Sequence, residues 1–246
     1  MIIIRQRQVY IWQYIAPEPS GRFGDIAFIA GDAPNTSRTG SHMTKTLRMT
    51  LPLLAAALVP GAAMAQMGGS PTTVVPAGTY TVESHHTLAI FAINHMGFND
   101  FYGTIPGATG SLTLDPAHAA ADKLDVSLPV SAISTTNSVL DGELKDPSWL
   151  DAAKYPEIHF TATKVTQTGA HTAHIDGNLT LHGVTRPIAL DATFGGAGNN
   201  PMSKHFTIGF SATGAIKRSD FGVTKYVPLI GDDVRLTITA AFEKQD

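Results

Sequence analysis

The stretch Arg235-Leu236-Thr237-Ile238-Thr239-Ala240-Ala241-Phe242 decides the fold. Leu236, Ile238, Ala240 and Phe242 alternate with Arg235, Thr237, Thr239 and Ala241. Successive side chains of a strand point to opposite faces, so this run has one apolar face and one largely polar face. The same period recurs upstream. Phe206, Ile208, Phe210 and Ala212 alternate with Thr207, Gly209, Ser211 and Thr213. Ile188, Leu190, Ala192 and Phe194 form another such run, as do Ile175, Gly177, Leu179 and Leu181. Ile158, Phe160 and Ala162 alternate with His159, Thr161 and Thr163, and Leu124, Val126, Leu128 and Val130 alternate with Asp125, Ser127 and Pro129. Two further runs, about 86–96 and 101–114, bring the count to eight.

The pattern breaks between Ser134 and Tyr155. Thr135, Thr136, Asn137 and Ser138 supply helix-capping side chains, and Val139, Leu140, Leu144, Trp149 and Leu150 are spaced too irregularly for a strand. One or two short helices are expected around 135–152. Turn signals part the strands at Asp115-Pro116, Thr168-Gly169, His182-Gly183, Gly195 to Asn200 and Ile230-Gly231-Asp232. Gly195–Gly198 reads as a hairpin loop, because a strand rather than a helix follows it. Eight antiparallel strands, each with one polar face, make a two-sheet sandwich or a closed barrel. The inward positions Ala92, Ala162, Ala192, Ala212, Ala240 and Gly177 are small, which leaves volume near a barrel axis.

Outward from the strands, the N-terminal part reads differently. Met43 to Thr50 carries Lys45 and Arg48, Leu51 to Pro60 is mostly apolar, and Ala63 and Ala65 follow. These are the three parts of a secretory signal, with cleavage after Ala65. The apolar run is too short for a membrane-spanning helix, which needs ~20 residues. Residues 1–42 read as a mis-assigned upstream start, expected to be disordered, and 66–78 as a flexible leader. The barrel would then occupy 79–246, and the protein would reside in the periplasm.

The whole chain of 246 residues has no Cys and a formal charge of -3. Disulfides and thiolate chemistry are therefore excluded. From Gln66 onward, 11 Lys and Arg stand against 17 Asp and Glu, giving -6. That balance excludes a nucleic-acid partner, whose binding surface is basic.

The chain offers little reactive chemistry. His85 and His86 are adjacent, so on a strand they face opposite ways, and no His pair has metal-chelating spacing. No metal site is expected. The pairs Asp141/Glu143 and Asp232/Asp233 lack a third group and suit caps or turns. No G-x-S-x-G elbow is present. Trp149, Phe98 and Phe101 stand outside the alternation. They read either as plugs at the barrel ends or as the aromatic mouth of a pocket.

Five separated blocks carry a family resemblance. They are Tyr80-Thr-Val-Glu83-Ser84-His85-His86-Thr-Leu-Ala-Ile-Phe91 with Asn94-His95-Met96-Gly97; Tyr155-Pro156-Glu157-Ile158-His159-Phe160; Gly177-Asn-Leu-Thr-Leu-His182-Gly183-Val-Thr185-Arg186-Pro187; Arg218-Ser219-Asp220-Phe221-Gly222; and Ile230-Gly231-Asp232-Asp233-Val234. Together they resemble the YceI-like family of bacterial polyisoprenoid-binding proteins, with Glu83 where Asp is usual and an extra His at 85–86. The resemblance implies an all-β, extended eight-stranded antiparallel lipocalin-like barrel holding a long apolar amphiphile. That ligand would be polyisoprenoid, quinone-like or fatty-acid-derived.

The expected contacts are Leu88, Ile90, Ala92, Phe160, Leu179, Leu190, Phe206, Phe210, Leu236 and Ile238, with Phe98 and Trp149 at an entrance. No cofactor is expected beyond a bound isoprenoid or quinone-like lipid, and a homodimer is compatible with the sequence. A non-enzymatic carrier is the leading reading. Its rivals are an enzyme acting on a lipid or peroxide through His85, His95 or His182, and an outer-membrane barrel. Asp125, His159, Asp176 and Arg235 oppose the latter, because they fall on faces that lipid would have to cover.

Overall fold

The structure, a computed structural model, describes residues 74–245. The signal-like segment 43–65, the expected upstream extension 1–42 and the leader up to residue 73 lie outside the described residues. The strands are β1 (Gly78–Val82), β2 (Leu88–His95), β3 (Asn99–Pro106), β4 (Thr109–Leu114), β5 (Lys123–Pro129), β6 (Glu157–Gln167), β7 (Thr172–Leu181), β8 (Val184–Asn199), β9 (Phe206–Lys217) and β10 (Ile230–Lys244). One α-helix, α1 (Ser138–Lys145), is capped by Asn137, whose side chain accepts from the backbone N–H of Val139 and Leu140.

Every strand pairing is antiparallel, and the ring β1-β4-β5-β6-β7-β8-β9-β10 closes through β1 against β10. This is an eight-stranded barrel. β2 and β3 form a hairpin that continues the wall. β10 pairs with β2 along Ile230–Thr239 and with β1 along Phe242–Lys244. The run at 101–114 is thus two strands, parted at Gly107 and Ala108, where Gly107 takes a φ of 80° that a side chain disfavours. β1 was not visible as a separate strand, because Tyr80 and Val82 are its only two alternating apolar residues.

Glu83 holds the break between β1 and β2. Its carboxylate accepts from the backbone N–H groups of His85 (3.1 Å) and His86 (3.0 Å) and from both imidazole Nδ1 atoms (2.8 and 2.6 Å). Burial works against the charge, but these hydrogen bonds prevail and hold the carboxyl down at about 2, from an ordinary 4.5. A depressed carboxylate pKa stabilises the fold fully above the unfolded value, and that contribution is lost as pH falls through the folded value. Glu83→Gln is therefore expected to cost about 1–3 kcal/mol near neutrality. In chemical denaturation the gap to wild type should close between pH 4.5 and 2. A gap independent of pH would refute this account.

Two expected turns are strand instead. Gly195–Gly198 lies inside β8, where the register shifts between Phe194 and Gly196, and the chain reverses only after Asn199. The glycines permit a bulge there, and Ala197 is buried beside Ile208. Gly231-Asp232-Asp233 is likewise a bulge within β10, opposite β2. His182-Gly183 is a two-residue hairpin turn with positive φ at both residues (52° and 74°), the primed type that suits strand twist. A Cβ on Gly183 would stand 2.3 Å from the ring of Tyr155. Gly183→Ala is expected to cost about 2–3 kcal/mol in unfolding experiments, from backbone strain and displacement of that ring.

Two apolar clusters fill parts of the interior. One joins Tyr80, Val82, Ala108, Leu112, Ala197, Ile208 and Phe242, and the other joins Phe160, Leu179, Leu181, Leu190 and Phe221. The outer faces carry several charged pairs. His159 pairs with Asp125 (3.0 Å), His174 with Asp191 (2.7 Å), and Arg235 with Asp100. Among the described residues, no helix is long and apolar enough to cross a membrane.

Candidate functional site

The inward faces of the strands enclose an elongated cavity of about 1050 Å³. Pockets for small ligands run to ~300–1,000 Å³, so this one suits a long molecule. Its wall is assembled by period two: Leu124, Val126 and Leu128 from β5; Ile188, Leu190, Ala192 and Phe194 from β8; Phe210, Ala212 and Ile216 from β9; Val234, Leu236, Ile238 and Ala240 from β10. α1 adds Leu140 and Leu144, one turn apart on one face. The cavity extends from residues of the 115–122 and 167–172 loops at one end to Trp149, Arg218 and Tyr226 at the other, the α1 end.

Leu88, Trp149, Phe160, Leu179, Leu190, Phe210, Leu236 and Ile238 are brought together in this wall. Ile90, Ala92, Phe98 and Phe206 are not. On β2 the wall is made by Ala89, Phe91, Ile93 and His95. Ile90 pairs across with Thr104 and Thr237, and Ala92 with Tyr102 and Arg235, so both share the outer face with those residues. Both faces of β2 are apolar in sequence, so alternation could not choose between them. The choice is visible only across the strand pair. Phe91 lies over Gly103, where a Cβ would stand 2.2 Å from its ring. Phe98 is 84% exposed in the β2–β3 turn. Phe206 packs against the Tyr80 cluster.

The small inward residues divide as well. Ala192, Ala212 and Ala240 leave room in the cavity, whereas the space over Gly177 is taken by the Phe160 ring, 2.3 Å from where its Cβ would stand. Ala162 stands outside the wall, just before the bulge in β6.

Arg218 and the residues around it were not foreseen as part of the site. Arg218 follows β9 on a short 3-10 turn, is 4% exposed and lines the cavity. It donates through Nε to Gly231 O, through one terminal nitrogen to Val223 O and through the other to Ile230 O, each at 2.9 Å. The bulge in β10 frees the carbonyls of 230 and 231 for it. Asp232 spends its carboxylate on the N–H (2.9 Å) and hydroxyl (2.7 Å) of Ser219. Burial lowers the guanidinium pKa, and Asp232 opposes that shift. The Arg218 guanidinium carbon lies 5.5 Å from the Trp149 ring centre, and Trp149 meets Tyr226 edge-on at 6.0 Å.

Four of the five quoted blocks converge at this end. Tyr155 packs edge-on to His182 (4.9 Å), His182 donates through Nδ1 to Phe221 O (3.1 Å), and Arg218 ties its own turn to the 230–231 bulge. Seen from one chain, an Arg between a strand and a Gly gives only a weak cue. The bulge that makes its acceptors has no sequence period at all.

His85, His95 and His182 stand apart from one another. His85 sits in the β1–β2 turn on Glu83, His95 faces the cavity beside Phe101 (6.4 Å), and His182 is in the β7–β8 turn. Among the described residues, no three His, Asp or Glu side chains are grouped as a metal would need.

The comparisons with known proteins agree on one family. The YceI-like domain model matches residues 80–242. A UPF0312 protein of Pseudomonas syringae pv. syringae is 38% identical over 141 residues, covering 57% of this chain and 73% of the relative. Protein YceI of Salmonella heidelberg is 35% identical over 157 residues, covering 64% of this chain and 81% of the relative. The crystal structure of the Campylobacter jejuni YCEI protein superposes with a TM-score of 0.56 at 30% identity, covering 62% of this chain and 90% of that one. A polyisoprenoid binding domain from Saccharophagus degradans shares the fold, with a TM-score of 0.52 at 13% identity over 68% of this chain and 98% of that one.

Proposed function

The chain belongs to the YceI-like family, and from that premise we propose that it is a periplasmic carrier or sequestering protein for a long apolar amphiphile. The ligand class is polyisoprenoid, quinone-like or fatty-acid-derived, and the role is non-enzymatic. The observation that carries this reading is the cavity itself: about 1050 Å³, walled almost throughout by aliphatic and aromatic side chains. Each buried CH₂ contributes ~0.8 kcal/mol. A chain of tens of carbons gains ~20 kcal/mol gross before the costs of ordering it, and needs no charged clamp along its length. The polyisoprenoid-binding neighbour of the same fold supports the ligand class.

In this reading Leu88, Phe160, Leu179, Leu190, Phe210, Leu236 and Ile238 contact the chain, joined by Phe91 and Ile93, and Trp149 stands at the α1 end. Extraction and mass spectrometry of the full chain purified from a bacterial host should release one apolar amphiphile. Absence of lipid, together with no uptake of prenyl or quinone ligands, would overturn the proposal. Export is tested separately: osmotic shock should release the protein, with Gln66 as its first residue.

A further inference from the structure

We propose that the α1 end of the cavity is a head-group site, where the indole N–H of Trp149 and the guanidinium of Arg218 take an oxygen acceptor on the polar end of the amphiphile. This rests on the carrier reading and adds an orientation to it: head at Trp149 and Arg218, tail toward the 168–171 turn.

Two independent observations converge there. Trp149 is 8% exposed, lines the cavity, and its Nε1 is buried with no hydrogen-bond partner among the described residues. A buried donor without an acceptor costs free energy in the empty protein, and a ligand oxygen removes that cost. Arg218 is buried and lines the same end. A guanidinium has five N–H donors, and the three backbone carbonyls leave two of them unspent. No described carboxylate lies within ion-pair distance of it, although Asp232, bonded to Ser219, is near enough to act on its charge. The α1 end therefore presents one guanidinium and a free indole donor in an otherwise apolar stretch of wall, with Glu143 of α1 as the carboxylate that shares this end.

The opposite end is lined by two carboxylates and, among the described residues, by no Lys or Arg. Asp115 and Asp122 line it, and two carboxylates repel a phosphate or a carbonyl oxygen. The polar end of an amphiphile is thus drawn to the α1 end by its hydrogen-bond donors and turned away from the other. Phosphate and quinone carbonyl share the required chemistry, an exposed acceptor oxygen.

The test uses the full chain and three probes: a polyprenyl phosphate, a prenylated benzoquinone and squalene, which has no oxygen. The two Trp of the chain are Trp12 and Trp149, so unprocessed protein gives two indole N–H signals in a ¹H–¹⁵N spectrum and protein beginning at Gln66 gives one, and Trp149→Phe identifies the signal of Trp149. That signal should shift downfield with an oxygen-headed probe and not with squalene. Trp149→Phe should weaken the oxygen-headed probes about tenfold more than it weakens squalene. A preference for phosphate over quinone at equal tail length names an anionic head, and the reverse names a carbonyl. Equal loss for all three probes in Trp149→Phe, or an unmoved indole signal in the saturated wild type, overturns the head-group site while the carrier reading stands. If wild type takes up none of the probes, the carrier reading falls first.

Discussion

Ala192→Phe together with Ala212→Phe is expected to weaken lipid binding about a hundredfold while leaving the barrel folded. The two residues are cross-strand partners on β8 and β9, and both line the cavity. Ala212 also pairs with Ile238 on β10, so the substitution places two rings side by side across one level of the lumen. Space there is empty, so the rings obstruct a ligand more than they disturb packed neighbours. Each substitution should weaken binding at least tenfold, about 1.4 kcal/mol, and the pair about a hundredfold. Thr213→Phe, on the outer face of β9, should change nothing. Fluorescence titration with a prenyl probe and a thermal melt of each variant decide it. Unchanged affinity in the double variant would place the ligand outside the barrel.

Arg218→Met carries the largest expected effect on stability. It leaves the carbonyls of Val223, Ile230 and Gly231 without their donor at a buried site, and each orphaned acceptor costs ~1–3 kcal/mol. Losing a buried charge offsets part of this, so about 3–5 kcal/mol is expected overall. The packing of Phe221, which is 1% exposed and adjoins the same turn, would loosen with it. Arg218→Lys should recover a minor share, because a compact ammonium cannot span three carbonyls as the planar fork does. Guanidinium denaturation measures both variants. A loss under 1 kcal/mol in Arg218→Met would show that water or a rearranged loop takes over the three acceptors.

The barrel was legible because most of its strands bury one face and wet the other. The alternating middles of β8, β9 and β10 are legible, and their inward residues Leu190, Phe210, Leu236 and Ile238 line the cavity. The α1 segment was legible through its caps. β2 was not resolvable, since its two faces are equally apolar and the choice rests on Gly103 giving way to Phe91 on the neighbouring strand. The glycine run in β8 and the Gly231 bulge read as turns because a bulge and a turn share the same residue types. Arg218 was hidden for a related reason: its acceptors exist only once a three-residue bulge in β10 turns two carbonyls away from β2.

β10 has a consequence for how the chain reaches this state. It is the stave with three partners, holding β9 on one side and both β2 and β1 on the other. Of the described strands it is also the last to be synthesised. Until it arrives, β9, β2 and β1 are raw sheet edges that other chains can pair with. The pairs Tyr80–Lys244 and Val82–Phe242 then stitch together residues from the first and last strands. Such distant closure makes folding slow and late, so the nascent domain passes through a long aggregation-exposed interval that only its final strand can end.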